Sequence, residues 1–269
     1  MKYIEPLFRP PAEAESLIFQ VAYGCPHNRC RFCGMYKGVK YRLRPESEVL
    51  AEIAGAGRRW PDGRRVFLAD GDVMALPFER LAAILDALNR AFPRLARVNL
   101  YANGSSTMNR SDAELRTLRQ LKLNTVYLGL ESGCQDVLDL FGKTERVEEM
   151  IAAVARVQKL SFKCSVMILV GLGGMLLSSC HATDTVAAVN RMQPKLLSAL
   201  RYVEIPGMPQ PEGYLTLSEY DAVVEMRRMA AGFELGQTVL RANHSSNPLP
   251  LAGRFPADQA RLLAELDAE

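Results

Sequence analysis

Apolar runs of strand length alternate along this chain with segments in which apolar residues recur at helical spacing. Ser16-Leu17-Ile18-Phe19-Gln20-Val21-Ala22 reads as a first strand, followed by a long polar loop and a helix near 46–56. Residues 65–69 read as a second strand, with a helix over about 78–91, and residues 97–101 as a third. Ser111-Asp112-Ala113-Glu114 then carries the Ser-x-x-Glu pattern of a helix start, in which two side chains satisfy otherwise orphaned N–H groups. Residues 125–130 form a fourth strand before a helix over 145–160. Residues 163–170 form the fifth and most apolar strand, followed by a helix over 182–192, and 196–203 the sixth. Helices near 218–231 and 257–266 close the chain.

Largely apolar strands alternating with helices predict an α/β fold, a parallel sheet covered by outer helices. Six strand–helix repeats are fewer than the eight of a closed barrel, so the expected architecture is an open, partial (β/α)6 TIM-like barrel. The expected division is an N-terminal extension over 1–15, a barrel core over 16–205 and a helical and loop segment over 206–269 that caps the barrel mouth. In such folds the loops after the strand C-termini carry the chemistry, so unusual residues are sought there.

Composition narrows the class. Apolar residues are 48% and charged residues 23%, which excludes a disordered chain. A net charge of +3 gives no electrostatic footprint for bulk nucleic-acid binding, so nucleic acid is not an expected partner. The longest apolar stretch, 166–172, falls far short of the ~20 residues of a membrane span, and the N-terminus shows no signal-peptide core. The expectation is a cytoplasmic protein with no membrane partner, in which the six cysteines are thiols or metal ligands rather than disulfides.

The cysteines are not evenly spread. Cys25, Cys30 and Cys33 fall within Gly24-Cys25-Pro26-His27-Asn28-Arg29-Cys30-Arg31-Phe32-Cys33-Gly34, on the loop after the first strand. Three soft thiolates aimed at one small volume suit an iron–sulfur cluster or a zinc ion. Structural zinc would want a fourth ligand, for which His27 is the local candidate. A [4Fe–4S] cluster on three cysteines instead leaves one iron open to a further ligand. Three buried thiols are the plainest alternative, and the density of cysteines argues for the cluster.

This loop resembles the signature of the radical S-adenosylmethionine (radical SAM) superfamily, Cys-x3-Cys-x2-Cys with an aromatic residue before the last cysteine. Phe32 stands in the aromatic place, while Cys25 and Cys30 are separated by four residues instead of three. The chain is more closely similar to an unassigned group of that superfamily with a Cys-x4-Cys-x2-Cys-Gly-Met-Tyr loop and an Arg-x-Asn-His-x-Ser-Asn segment, here Arg241 to Asn247. The resemblance implies a [4Fe–4S] cluster on Cys25, Cys30 and Cys33 and S-adenosylmethionine (SAM) as second cofactor. It implies reductive cleavage of SAM to a 5′-deoxyadenosyl radical that transforms a small-molecule substrate, with an electron donor such as flavodoxin or ferredoxin as partner.

The resemblance also assigns roles to the other loops. Asp70-Gly71-Asp72, after strand two, is the counterpart of the superfamily's Gly-Gly-Glu motif, with Asp72 toward the methionyl ammonium; the plain alternative is an Asp-Gly turn. Asn103 lies in the place of the third-strand motif. Glu131-Ser132, in Gly129-Leu130-Glu131-Ser132, is assigned to the ribose hydroxyls, since a Glu at the end of an apolar strand is costly to bury unpartnered. The alternative there is a salt bridge within the barrel. Lys143 is matched to a cation that pairs with the methionyl carboxylate, or is an exposed helix-end lysine. Gly171 and Ile205 would line the adenine.

Three further features are weighed. Cys134, Cys164 and Cys180 form no second cluster motif and are expected as buried thiols; Cys180-His181 faces the substrate or, more plainly, starts a helix. Arg241–Asn247 either closes over the barrel mouth, with His244 as a candidate acid–base group, or satisfies its own backbone. The basic run over 37–44 beside the cluster loop is the expected docking surface for an acidic electron donor, and that around Trp60 a solvated turn. A non-catalytic zinc or iron–sulfur protein, an electron carrier, and a transferase of a methyl or aminocarboxypropyl group from SAM are the rival functions.

Overall fold

The structure is a computed structural model that describes residues 3–268. The fold is α/β, and its principal sheet has eight strands, mostly parallel. The chain divides into two compact units. One comprises Met1–Asn28, Met35–Tyr127 and Arg156–Lys163, the other Arg29–Gly34, Leu128–Ala155 and Cys164–Glu269.

The first unit contains strands β1 (Leu17–Gln20), β2 (Ala22–Tyr23) and β3 (Arg42–Leu43), helix α1 (Glu46–Arg59), β4 (Arg65–Ala69), α2 (Phe78–Ala91), β5 (Arg97–Ala102), α3 (Gly104–Met108) and α4 (Asp112–Gln120). It also holds the beginning of β6 (Leu123–Glu131). β1, β4 and β5 pair in parallel, Leu17 opposite Val66 and Val66 opposite Val98. β2 and β3 are antiparallel and staple together the two ends of the cysteine loop, with Ala22 opposite Leu43. Ser111 and Glu114 form the expected capping box at the start of α4. Buried Val49 and Ile53 on α1 and Leu81, Ile84, Leu85 and Leu88 on α2 supply the helical side of the core, and α1 packs against α2.

A short turn over Pro11–Glu13 carries a feature the sequence pattern does not announce. Glu13 is only 2% exposed. Its carboxylate accepts hydrogen bonds from Ser16 Oγ, from Asn99 Nδ2 at 2.7 Å and from the Tyr127 hydroxyl at 2.6 Å. Burial and that carboxylate push the Tyr127 phenol up.

The second unit holds α5 (Gln135–Leu140), most of α6 (Val147–Lys159), β7 (Lys163–Val170), α7 (Gly174–Met192), β8 (Leu196–Arg201), α8 (Glu219–Gly232), β9 (Val239–Ala242), β10 (Leu251–Arg254) and α9 (Gln259–Asp267). β7, β8 and β9 are parallel and β10 runs antiparallel to β9. The six expected strands are all present. Three expectations need correction. The helix after β7 begins at Gly174, not near 182, so His181 lies within it. Part of the segment after 205 forms two further strands, β9 and β10. Cys134 and Cys180 are joined in a disulfide where thiols were expected. No helix among the described residues is long and apolar enough to cross a membrane.

Candidate functional site

In the first unit the chain turns at Gly24, whose φ of +74° suits glycine, and the Gly24 N–H donates to Asp70 Oδ2 at 3.1 Å. The half-buried Cys25 follows. The loop after β4 lies directly on it: the Gly71 N–H donates to the Gly24 carbonyl at 3.2 Å. A Cβ added at Gly71 would stand 2.6 Å from Cys25 Cβ, so only glycine fits. Asp72, 3% exposed, uses both carboxylate oxygens. One meets His27 Nε2 at 3.0 Å and the other accepts from Ser106 Oγ at 2.8 Å. His27, the candidate zinc ligand, is thus turned onto an acid. Asn103 donates its N–H to the same Ser106 Oγ at 3.1 Å, which fixes the loop after β5 to Asp72.

Asp70 differs from Asp72. Its Oδ2 accepts from Gln20 Nε2 at 2.9 Å and from Gly24, but its buried Oδ1 accepts no hydrogen bond. Burial pushes the carboxyl up to about 6 against the pull of those two donors. Tyr41, which no motif singled out, has its phenol raised by burial and then by the nearby Asp72 and Cys25.

In the second unit Cys30 and Cys33, both half-buried, are held by a tight turn in which the Cys33 N–H donates to the Cys30 carbonyl at 3.3 Å. Phe32 is buried against Phe141 with ring centroids 6.2 Å apart, and the Arg31 N–H donates to the Phe141 carbonyl at 2.8 Å. Both cysteines pack on the apolar cluster of Phe32, Val137, Phe141, Leu172 and Tyr202. Apolar packing helps to set their place.

Glu131 ends β6 in the left-handed region at φ +65° and is 5% exposed. Its Oε2 is buried and accepts no hydrogen bond. Burial pushes its carboxyl up to about 7; Lys143 opposes the shift and Glu145 adds to it. Lys143 is buried as well. Its Nζ donates to the Gly129 carbonyl at 2.9 Å and lies 3.5 Å from Glu145. Burial alone would lower the ammonium, and the negative groups of Glu131, Glu145 and Cys30 more than reverse it. Lys143 is therefore not an exposed helix-end lysine. Glu145, which the sequence reading missed, is the counter-charge, and its place two residues beyond Lys143 is the signal that could have found it.

Ser132 is fully buried and bonds His181 Nδ1 at 2.8 Å. His181 Nε2 bonds the Leu169 carbonyl at 2.9 Å, and burial pushes the imidazole down to about 4. This neutral ring ties the end of β6 to the end of β7. Gly171, at φ +83°, gives its N–H to Glu225 and accepts from the Tyr214 hydroxyl at 3.0 Å. Ile205 lies over Gly34, so near that a Cβ on that glycine would meet Ile205 Cδ1 at 2.8 Å.

In one unit the structure thus sets Asp70 and Gly71 against the Gly24–Cys25 turn and links Asp72 to Asn103 through Ser106. In the other, the cysteine loop packs near Lys143, whose charge balances Glu131. His244 does not join either group. It is exposed, and its Nδ1 is engaged by Ser246 Oγ at 2.8 Å, while Asn247 anchors the segment to the Ala199 and Ala242 carbonyls at 2.9 and 2.7 Å. Cys180 is tied to Cys134. The expected basic docking run is partly spent on structure. Lys37 donates to the Asn28 carbonyl at 2.8 Å and buried Arg44 pairs with Glu52 at 2.7 Å, so Lys40 and Arg42 are its exposed cations.

Residues 19–176 match the family model of the Radical SAM superfamily. The heme chaperone HemW of Bacillus subtilis (strain 168) is 22% identical over 175 residues, covering 62% of this chain and 45% of that protein. Coproporphyrinogen III oxidase (HemN) from Escherichia coli, a radical SAM enzyme, superposes with a TM-score of 0.63 at 15% identity, over 80% of this chain and 51% of that one. Methylornithine synthase (PylB) superposes with a TM-score of 0.59 at 14% identity, over 93% of this chain and 68% of its own. The chain spans about half the length of the first two. The similar solved structures bear on the fold, which is that of partial TIM barrels.

Proposed function

This chain belongs to the radical SAM superfamily, and from that membership we propose that it is an enzyme that cleaves SAM reductively and transforms a small-molecule substrate. The superfamily uses a [4Fe–4S] cluster and SAM. When bound, they supply a 5′-deoxyadenosyl radical, and the protein's task is binding, orientation and exclusion of water. Cys25, Cys30 and Cys33 would hold the cluster. The donor set fits: three soft sulfurs and no fourth cysteine in the loop, with His27 taken up by Asp72.

The observation that supports the reading recurs in each unit by itself: Asp70 after β4 in the first and Glu131 at the end of β6 in the second are buried carboxylates, each with one oxygen that accepts no hydrogen bond. A buried carboxylate oxygen left unpaired costs free energy unless a ligand donor completes it. Glu131 would accept from ribose hydroxyls, and Asp70, with the backbone at Gly71, from the methionyl ammonium. Asp72, which holds His27 and Ser106, would stand toward the same ammonium. Lys143, beside Glu131 and Glu145, would pair with the methionyl carboxylate. Gly171 and Ile205 would border the adenine.

A flavodoxin- or ferredoxin-like donor would approach Lys40 and Arg42. Formation of 5′-deoxyadenosine from SAM by the reduced, cluster-loaded protein tests the reading. The relative named as a heme chaperone supports a second one, in which the cluster and SAM serve binding rather than turnover. Retention of heme without 5′-deoxyadenosine would favour it.

A further inference from the structure

We infer that Cys134 and Cys180 form a thiol–disulfide exchange site, opened and closed by a small-molecule thiol and its disulfide. Cys134 sits at the start of α5, three residues beyond Glu131, and Cys180 on α7. The two are joined in the structure. Cys134 is 1% exposed, whereas Cys180 is half-buried and the more accessible residue of the two.

The approach of the two segments does not depend on the bond between the sulfurs. The Gly133 N–H donates to Thr185 Oγ1 at 2.8 Å, and Ser132 Oγ bonds His181 Nδ1 at 2.8 Å and accepts from the Cys134 N–H at 3.0 Å. At Gly133 the backbones touch so closely that a Cβ would overlap the Asp184 carbonyl. These contacts flank the cysteines on both segments. Opening the disulfide therefore leaves the thiols facing each other, ready to close again. Asp184 Oδ2 lies 3.1 Å from Cys180 Sγ and is placed to accept its S–H in the reduced state.

In the opening step a thiolate RS⁻ attacks Cys180 Sγ. The bond to Cys134 Sγ breaks, and its electron pair leaves on Cys134 Sγ, which takes the proton. A second RS⁻ attacks the added sulfur, releasing the Cys180 thiol and RSSR. Two RSH are oxidised as the protein disulfide gains two electrons, and closure runs the same steps backward with RSSR as oxidant. Cys134 belongs to the apolar cluster on which Cys180, Cys30 and Cys33 pack, so the exchange reports the thiol balance beside the cysteine loop. Nothing in this inference requires SAM to bind.

The test equilibrates the full chain anaerobically with glutathione and glutathione disulfide at varied ratios, quenches in acid, alkylates and maps the peptides. The cross-linked Cys134–Cys180 peptide should dominate at oxidising ratios, fall at least tenfold at reducing ones and return on reversal. Cys134→Ser should trap Cys180 as its mixed disulfide with glutathione. Cys180 alkylated at every ratio, or the cross-link intact at every ratio, would overturn the inference. So would one zinc ion per chain that is lost in Cys180→Ser, since the two sulfurs and an Asp184 oxygen lie within 4.8 Å of one another and could hold a metal instead.

Discussion

The Glu131 carboxylate folds back over Gly129, occupying the space a side chain at that position would need. The obstructing atom is the tip of a flexible side chain, so Gly129→Ala can be accommodated by swinging Glu131 aside. The fold should lose only about 1 kcal/mol, while the carboxylate leaves its place. Calorimetry should show SAM affinity down by about tenfold or more with a melting temperature within a few degrees of wild type. Unchanged affinity would remove Glu131 from the cofactor site.

Gly71→Ala should behave differently. Its Cβ would meet Cys25 Cβ at 2.6 Å, Cys25 Cα at 2.7 Å and the Gly24 carbonyl at 2.8 Å. Two of these are backbone atoms that cannot rotate away. Loss of roughly 1–3 kcal/mol is expected from the overpacking, together with a several-fold fall in iron bound after reconstitution. Urea unfolding and iron analysis of the same preparation measure both.

The pH dependence of stability follows from Glu131. Its carboxyl is raised from 4.5 to about 7 in the folded protein. The folded state therefore binds that proton more tightly than the unfolded chain, and the stabilisation, present in full below 4.5, is lost as pH rises through about 7. A shift of this size corresponds to something on the order of 3 kcal/mol. Glu131→Gln should flatten the curve, so the variant gains on wild type as pH increases. A constant difference in urea midpoint across that window would contradict the assignment.

Glu13→Ala tests a purely structural site. It leaves the Asn99 amide, the Tyr127 hydroxyl and the Ser16 hydroxyl without their shared acceptor in the core. A loss of about 3 kcal/mol or more is expected in denaturant melts, and reconstituted iron per folded chain should not change.

Much of this was legible in the sequence, because strand and helix periods are local. The six core strands and the Ser111–Glu114 box follow from residues close together in the chain. β9 and β10 escaped because each has four residues, with arginine and glycine among them, too few to show a period. The hydrogen-bond partners of Asp70 and Asp72 were invisible, since Gln20, His27 and Ser106 are contributed by other parts of the chain. The disulfide was missed because the residues it joins lie 46 apart in sequence. Likewise, the choice for Lys143 between a cofactor cation and an exposed helix-end lysine stayed open in the sequence, because its neighbours Glu131 and Glu145 are brought beside it by the fold.

Electron paramagnetic resonance of the reduced, reconstituted protein with and without SAM is the most direct measurement. Cys25, Cys30 and Cys33 holding a cluster of about four irons predict a signal whose g-values move when SAM is added, and no such signal in Cys30→Ala. A spectrum indifferent to SAM, or a protein that binds zinc and no iron, would contradict the account.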